Sequence, residues 1–94
     1  MANLSENSEV IALQALTWLV AQDELCPIFL AATGASEADL RERITDTDFL
    51  GSVLDFLLQD DTWVIAFCDH HAFAYDLVIR ARALLPGGDQ VHWT

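Results

Sequence analysis

The side chains with the clearest potential for chemistry lie at positions 68 to 71, where the sequence reads Cys-Asp-His-His. On a helix, Cys68 and His71 would share one face, and thiolate and imidazole are ligands that zinc prefers. His70 and the distant His92 would be the further ligands. The spacing matches no strong zinc signature, and histidines near a helix C-terminus are also favoured by the helix dipole. We therefore expect no metal or other cofactor, and keep these four residues as the candidate ligands.

Catalysis finds little support in these residue types. A pair of Cys68 with His70 or His71 would suit a thiol nucleophile, but Cys68 falls on an apolar stripe, where a thiolate is disfavoured. Most of the 15 acidic residues fall at predicted helix starts. There a carboxylate accepts backbone N–H hydrogen bonds and lies at the positive end of the helix dipole. We interpret the acids as helix caps, and expect that the chain is not an enzyme.

A second candidate site lies in the C-terminal segment and consists of Val91, His92 and Trp93. Trp is a frequent hot-spot residue of protein interfaces, so this segment would suit binding to a partner. Alternatively, Trp93 folds back over the chain's own helices and completes a small core. The break at 86–88, Pro-Gly-Gly, gives the backbone the freedom to turn back. We expect residues 86–94 to pack on the rest of the protein.

Polar caps and apolar residues at helical spacing recur along the chain and predict an all-α fold. No stretch alternates apolar and polar residues as a strand does. The expected architecture is a compact bundle of five to six short helices in a single domain over residues 5–94, with residues 1–4 disordered. The pattern is clearest in the fourth helix, whose predicted inward residues are Phe49, Leu50, Val53, Leu54, Phe56 and Leu57.

Capping residues mark the predicted helix starts. In chain order, the candidate caps are Ser5 or Ser8, Asp23, Ser36 in a capping box with Asp39, Thr45 or Asp46, and Asp60 or Asp61. Gly34 is the predicted end of the second helix, and the third runs from Glu37 to about Ile44 with Leu40 and Ile44 on its inward face. The sixth helix is predicted from about Ala74 to Pro86, with Arg80 and Arg82 outside its inward stripe of Leu77, Val78, Ala81, Leu84 and Leu85.

Composition and charge exclude several classes of protein. The net charge is −11, and the four Lys and Arg residues form no basic patch, so we exclude nucleic acid as a ligand. The same charge opposes binding to anionic membranes. The longest apolar stretch is interrupted by Gln14 and Thr17, so we expect no membrane span and no signal peptide. Two cysteines without a CxxC spacing predict reduced thiols and a cytoplasmic protein.

The apolar content is high for so short a chain. Hydrophobic residues make up 53%, including three Trp and five Phe, which favours a surface that binds a partner. We expect an acidic cytosolic interaction or accessory protein that presents an apolar surface to a basic or amphipathic protein partner. A homodimer would bury the same surface. The alternative function is a metal or small-ligand binding protein that uses Cys68, His70 and His71.

Four segments of the chain are similar to one known family: Glu9–Val20, Phe29–Gly34, Phe49–Leu58 and Arg80–Gly88. The most specific blocks are Leu-Gln-Ala-Leu in the first segment and Arg-Ala-Arg-Ala-Leu-Leu-Pro-Gly-Gly in the last. Together they resemble a small family found largely in alphaproteobacteria, domain of unknown function 3572. The resemblance implies a free-standing helical protein of about this length, and it brings no activity, cofactor or catalytic residue. Typical members have a Pro- and acid-rich turn before the last helix, where this chain has residues 71–75, His-Ala-Phe-Ala-Tyr.

Overall fold

Six α-helices account for most of residues 4–85, the part of the chain that the computed structural model describes, with side chains from Asn7 onward. The helices are α1 (Leu4–Val20), α2 (Leu25–Thr33), α3 (Asp39–Glu42), α4 (Thr47–Leu58), α5 (Asp61–His71) and α6 (Leu77–Ala83). No strand occurs between residues 4 and 85. The predicted all-α bundle of short helices is confirmed.

The core lies between α1 and α4, and the other long helices pack around this pair. The whole predicted face of α4, residues 49 to 57, is buried. The buried apolar residues of α1 are Ala12, Ala15, Leu16, Trp18 and Leu19. Helix α6 packs across both helices, α5 packs on α4, and α2 contacts both α1 and α4. Burial of apolar surface between these helices is the main source of stability.

Aromatic rings join the outer helices to this core. Phe29 of α2 contacts Phe49 and Phe56 of α4 edge to face, with ring centroids 6.0 and 5.3 Å apart. Trp18 of α1 contacts Phe67 of α5 in the same way, at 5.9 Å. Such pairs add about 0.5–1.5 kcal/mol each beyond the area that they bury. They fix α2 and α5 against the central pair.

Two aspartates cap helices as the sequence predicts. Asp46 accepts hydrogen bonds from the backbone N–H groups of Asp48 and Phe49, at 3.0 and 3.4 Å. Asp60 accepts one from the backbone N–H of Thr62, at 2.9 Å. Each carboxylate therefore satisfies donors that have no partner within their helix.

The predicted reciprocal hydrogen bonds of Ser36 and Asp39 are present, but α3 begins at Asp39 and not at Glu37, so they close the turn that precedes the helix. The backbone N–H of Ser36 donates to Asp39 Oδ2 at 2.9 Å, and the backbone N–H of Asp39 donates to Ser36 Oγ at 3.3 Å. Gly34 ends α2 as predicted, with a φ of 74° that costs glycine little. However, α3 ends at Glu42, so Ile44 lies beyond the helix and not on its inward face.

Three predicted helix starts are wrong. Ser5 and Ser8 lie within α1, and Ser8 is buried there, so neither is its cap. The residue before α2 is Glu24 and not Asp23, and it makes no side-chain cap. Helix α6 begins at Leu77, three residues after its predicted start at about Ala74, because residues 75 and 76 form a turn that follows the left-handed end of α5. Ala72 has a φ of 58°, and the next backbone N–H donates to the carbonyl of Cys68 at 2.8 Å.

The predicted stripe of α6 is correct at Val78, Ala81 and Leu85, and wrong at Leu84. Leu84 caps the C-terminus of α6 with right-handed helical dihedrals, but its side chain is 43% exposed. Arg82 was expected outside the stripe, but its side chain is only 12% exposed and binds Asp55 of α4 across the helix interface. The position of the Arg82 side chain is determined by its pairing with a residue distant in sequence, and helical periodicity carries no information on such pairs.

No single helix among residues 4–85 is long and apolar enough to cross a membrane, although Asn7–Val20 and Leu25–Thr33 together reach that length and composition with a 119° bend. The predicted packing of residues 86–94 falls outside the part of the chain described, as do the first three residues. Both remain predictions.

Candidate functional site

Cys68 is buried in the core and engaged by the backbone. Its Sγ–H donates to the carbonyl oxygen of Ala74 at 3.6 Å. Burial raises the pKa of the Cys68 thiol, and the negative charges of Asp69 and Asp76 raise it further. The thiol therefore stays protonated at neutral pH, which suits neither nucleophilic attack nor metal binding.

Among the described residues, the side chains of His70 and His71 do not join further His, Cys, Asp or Glu side chains in a group that could hold a metal ion. The ring of His71 stacks on Phe73 with centroids 5.2 Å apart, and its Nδ1 lies 3.3 Å from the carbonyl oxygen of Phe67. His70 is exposed beside it. Asp69 accepts a hydrogen bond from the Tyr75 hydroxyl at 2.7 Å, and this bond raises the pKa of Tyr75.

The described residues contain no group of three or more His, Cys, Asp or Glu side chains that could hold a metal ion. The metal-binding function considered for Cys68, His70 and His71 is therefore unsupported, because the cysteine faces the core while the exposed histidine faces solvent. The fourth candidate, His92, lies outside the described residues.

The largest of three surface grooves described here lies where α1 passes α3. We call it the α1–α3 groove; its volume is about 510 Å³. The residues that line it are Leu13, Leu16, Thr17, Val20, Cys26, Glu37, Leu40, Arg41 and Ile44. Six of these nine are aliphatic or Cys, so the lining is mainly apolar.

This groove is open because α3 is only one helical turn long. Leu40 is half-buried, whereas Ile44 follows the end of α3 and is 41% exposed. Across the groove, Val20 at the end of α1 is 40% exposed. A longer α3 would carry Ile44 on the same face as Leu40 and close the gap. The truncated helix thus leaves apolar side chains facing solvent on both walls.

The chain as a whole carries a strongly negative charge, although the linings of the two larger grooves contain few charged residues. Three of the four arginines form ion pairs within the chain: Arg43 with Asp46, Arg80 with Asp76, and Arg82 with Asp55, at 2.9, 3.4 and 2.6 Å. Since the net charge is −11, most carboxylates are left without a cationic partner in the described part of the chain. A cation approaching this surface is attracted over a distance set by the salt concentration.

Two further grooves are present. The α1–α6 groove, of about 470 Å³, is lined by Asn7, Ser8, Ile11, Leu77, Arg80, Ala81, Ala83 and Leu84. A smaller one, of about 310 Å³, lies between α1 and α5 and includes Trp18 and Trp63. The candidate partner-binding residues Val91, His92 and Trp93 lie outside the described residues, so the structure does not place them in any groove.

Sequence reasoning missed the lining of both larger grooves. It placed Leu40 and Ile44 inward together, and it placed Leu84 in the core. The available signal was local: Asp46, the cap of α4, lies only two residues after Ile44, so a helix that continued through Ile44 would leave little room for a turn before Asp46.

Comparison with known proteins identifies a family for this chain but does not identify an activity. A family model described as protein of unknown function (DUF3572) matches residues 5–88, a range that contains nearly all of α1 and the whole of α2–α6. Comparison with curated proteins and with solved structures gave no match. The match covers far more than half of the chain, and the chain therefore belongs to the DUF3572 family of proteins of unknown function.

Proposed function

We propose that this protein acts by binding rather than by catalysis, and that the α1–α3 groove takes the apolar face of a basic, amphipathic helix from a protein partner. The observation that carries the proposal is the mainly apolar lining of this groove in a chain of net charge −11. An amphipathic helix with cationic residues on its outer face complements both the apolar lining and the negative charge.

The apolar part of the argument rests on Ile44 and Val20. Each is about two-fifths exposed, and both line the groove. Apolar surface removed from water contributes about 25 cal/mol per Å², and side chains that are already held by the fold lose little entropy on binding. Leucines at positions i, i+3 or i+4 and i+7 of a partner helix would fill the space between these walls.

The electrostatic part rests on the shortage of cations. Arg41 is the only arginine of the chain that lines this groove, and Glu37 lies one helical turn before it. The other arginines are paired with aspartates. The long-range field of the protein is negative, so it steers a cationic segment towards the surface and repels an anionic one.

The test uses a fluorescein-labelled synthetic peptide of about 18 residues, with leucines on one helical face and lysines elsewhere. Saturable binding measured by fluorescence anisotropy is expected. Ile44→Gln should weaken it about tenfold or more, as truncation of a central interface residue does. A peptide of the same composition with its leucines spread around the helix should bind much more weakly.

The matched control is Ile65→Gln on α5. Ile65 is 41% exposed, as is Ile44, but lines none of the three grooves. Its substitution should change the affinity less than about twofold, the level of an energetically neutral position. Equal losses for the two variants, or no saturable binding of the helical peptide, would overturn the proposal.

We also infer a cytoplasmic location, in keeping with the alphaproteobacterial family that the sequence resembles. The support is that both cysteines are free thiols. Proteins of oxidising compartments commonly pair their cysteines, and cytosolic proteins keep them reduced.

A further inference from the structure

We propose that the α1–α6 groove is occupied by the chain's own C-terminal segment, residues 89–94, with Val91 and Trp93 against its apolar floor. This proposal is independent of the proposed function, because the two larger grooves share no lining residue.

The first argument is where the described chain ends. Leu84 lines the groove, and the next residue, Leu85, is 3% exposed and belongs to the core. The described part of the chain therefore ends at Leu85, next to a residue that lines this groove. The groove runs back along α6 from Leu84 to Leu77, about 10 Å at 1.5 Å per residue.

The second argument is reach. After Gly87 and Gly88, which turn without steric cost, five residues lead to Trp93. Extended backbone spans at most about 3.3–3.6 Å per residue, so this stretch reaches about 16–18 Å. That exceeds the length of the groove, and a chain that reverses at the glycines lies along it.

The third argument is chemical fit. Residues two apart in extended backbone point to the same side, so Val91 and Trp93 present one apolar face. The groove offers Ile11 on α1, and on α6 it offers Ala81 and Ala83, whose small side chains leave space for a large ring. A buried Trp removes about 150–250 Å² from water, and no other segment beyond residue 85 has comparable apolar surface.

Charge is consistent with the same placement. Arg80 lies on the rim, and its guanidinium is 68% exposed with Asp76 as its partner at 3.4 Å. Asp89 is the acidic residue of the proposed occupant, and Arg80 is the cation that the groove offers to it. A carboxylate near this groove can therefore interact with the guanidinium of Arg80, one of only four basic side chains in the sequence.

The test measures thermal unfolding of four proteins: the full chain, Trp93→Ser, Leu84→Gln, and the double variant. Trp93→Ser should lower the Tm by about 5 °C or more, which is the size of shift that a lost apolar contact gives in a domain of this length. Leu84→Gln should also lower the Tm of the full chain. In the double variant the second substitution should add little, because the two residues share one contact.

Ile79→Gln is the matched control, since Ile79 lies on α6, is 59% exposed and does not line the groove. Its effect should be small and should add to that of Trp93→Ser. Deletion of residues 90–94 should reproduce Trp93→Ser. Circular dichroism identifies any variant that fails to fold.

Two outcomes would overturn the proposal. The first is additive effects of Trp93→Ser and Leu84→Gln, or a Tm that Trp93→Ser leaves unchanged, which would leave Val91, His92 and Trp93 to a partner. The second is coupling that depends on protein concentration and accompanies a dimer in sedimentation velocity. In that case the segment occupies the groove of a second copy and not its own.

Discussion

At the scale of single residues, the position of the Arg82 side chain accounts for the glycine at position 51. Arg82 donates from Nε and Nη2 to the two carboxylate oxygens of Asp55, at 2.6 and 3.0 Å, in the bidentate arrangement that arginine favours. The guanidinium then lies on α4 where a side chain at position 51 would begin. A Cβ at Gly51 would stand 2.8 Å from Nη1 of Arg82. The ion pair between Arg82 and Asp55 thus favours glycine at position 51, although glycine lowers the stability of a helix.

Gly51→Ala should therefore have two opposing effects. Alanine gains about 1 kcal/mol of helix propensity over glycine, but its Cβ displaces the guanidinium from Asp55. We expect little net change in the wild type. In an Arg82→Met background the steric conflict is gone, so Gly51→Ala should stabilise the protein by about 1 kcal/mol. Urea unfolding of the four proteins measures the difference.

Arg80→Met provides the control background. Arg80 lies two residues before Arg82 but pairs with Asp76 at the surface. Gly51→Ala should behave there as it does in the wild type. If alanine is equally stabilising in all three backgrounds, Arg82 does not restrict position 51.

There is a physical reason why the ion pair between Arg82 and Asp55 could not be predicted from the sequence. Helical periodicity reports which residues face the core, and by that rule Arg82 faces away from it. Its partner Asp55 is 27 positions earlier. A long side chain can bury its stem and place its charge on a partner that only the tertiary fold brings near. Asp46 and Asp60, in contrast, bind donors two or three residues away, and both were among the predicted caps, whereas Asp23 was not confirmed.

At the scale of helices, the capping aspartates link stability to pH. The pKa of Asp46 is lowered, chiefly by the hydrogen bond from the Arg43 side chain and also by the backbone N–H groups of Asp48 and Phe49. A lowered pKa in the folded state stabilises the protein above the ordinary pKa of 3.8. The stabilisation is lost as the pH falls through the lower, folded-state value.

Asp46→Asn should therefore lower the Tm at pH 7, and its difference from the wild type should shrink as the pH falls below 3.8. Thermal unfolding over this range measures the difference. Asp48→Asn is the control, because it removes the same charge from the first turn of α4 but none of the cap bonds at Asp46. A pH-independent gap for Asp46→Asn, or an equal one for Asp48→Asn, would show that the cap is not the cause.

Helix ends that depend on tertiary contacts were predicted less well than the caps. Ser8 has the residue type of a cap, but it is buried within α1, against the rest of the bundle. Helix α3 stops at Glu42, before the pattern of apolar residues ends at Ile44. Ser8 lines the α1–α6 groove and Ile44 lines the α1–α3 groove, so both larger grooves include residues at which local sequence rules were overridden. Local propensity is a weak guide when packing decides the outcome.

At the scale of the whole molecule, the prominent feature is a single-sign charge on a small helical fold. The fold class and the family follow from helical periodicity and from motifs spread over the chain, and both are confirmed. The expectation that nucleic acids do not bind rests on the net charge alone and remains a prediction. Net charge controls association and solubility more directly than it controls the fold.

The same charge predicts how salt acts on stability. Two of the three ion pairs, Arg43–Asp46 and Arg80–Asp76, are substantially exposed, and such pairs contribute about 0–1 kcal/mol each. Repulsion among the remaining carboxylates acts over the whole surface, and it is relieved when the chain unfolds and expands. Salt screens both effects, but with a net charge of −11 the repulsive pairs far outnumber the attractive ones.

Raising NaCl from about 0.01 to about 0.3 M, which shortens the screening distance from about 30 Å to below 10 Å, should therefore raise the Tm at pH 7 by a few degrees. The measurement is repeated near pH 4.1, the isoelectric point, where net repulsion vanishes and the same salt should have little effect or lower the Tm. A control series in sucrose, which is uncharged, separates screening from general exclusion of solute. If NaCl lowers the Tm at pH 7, the ion pairs outweigh the repulsion, and the negative field is weaker than the binding proposal requires.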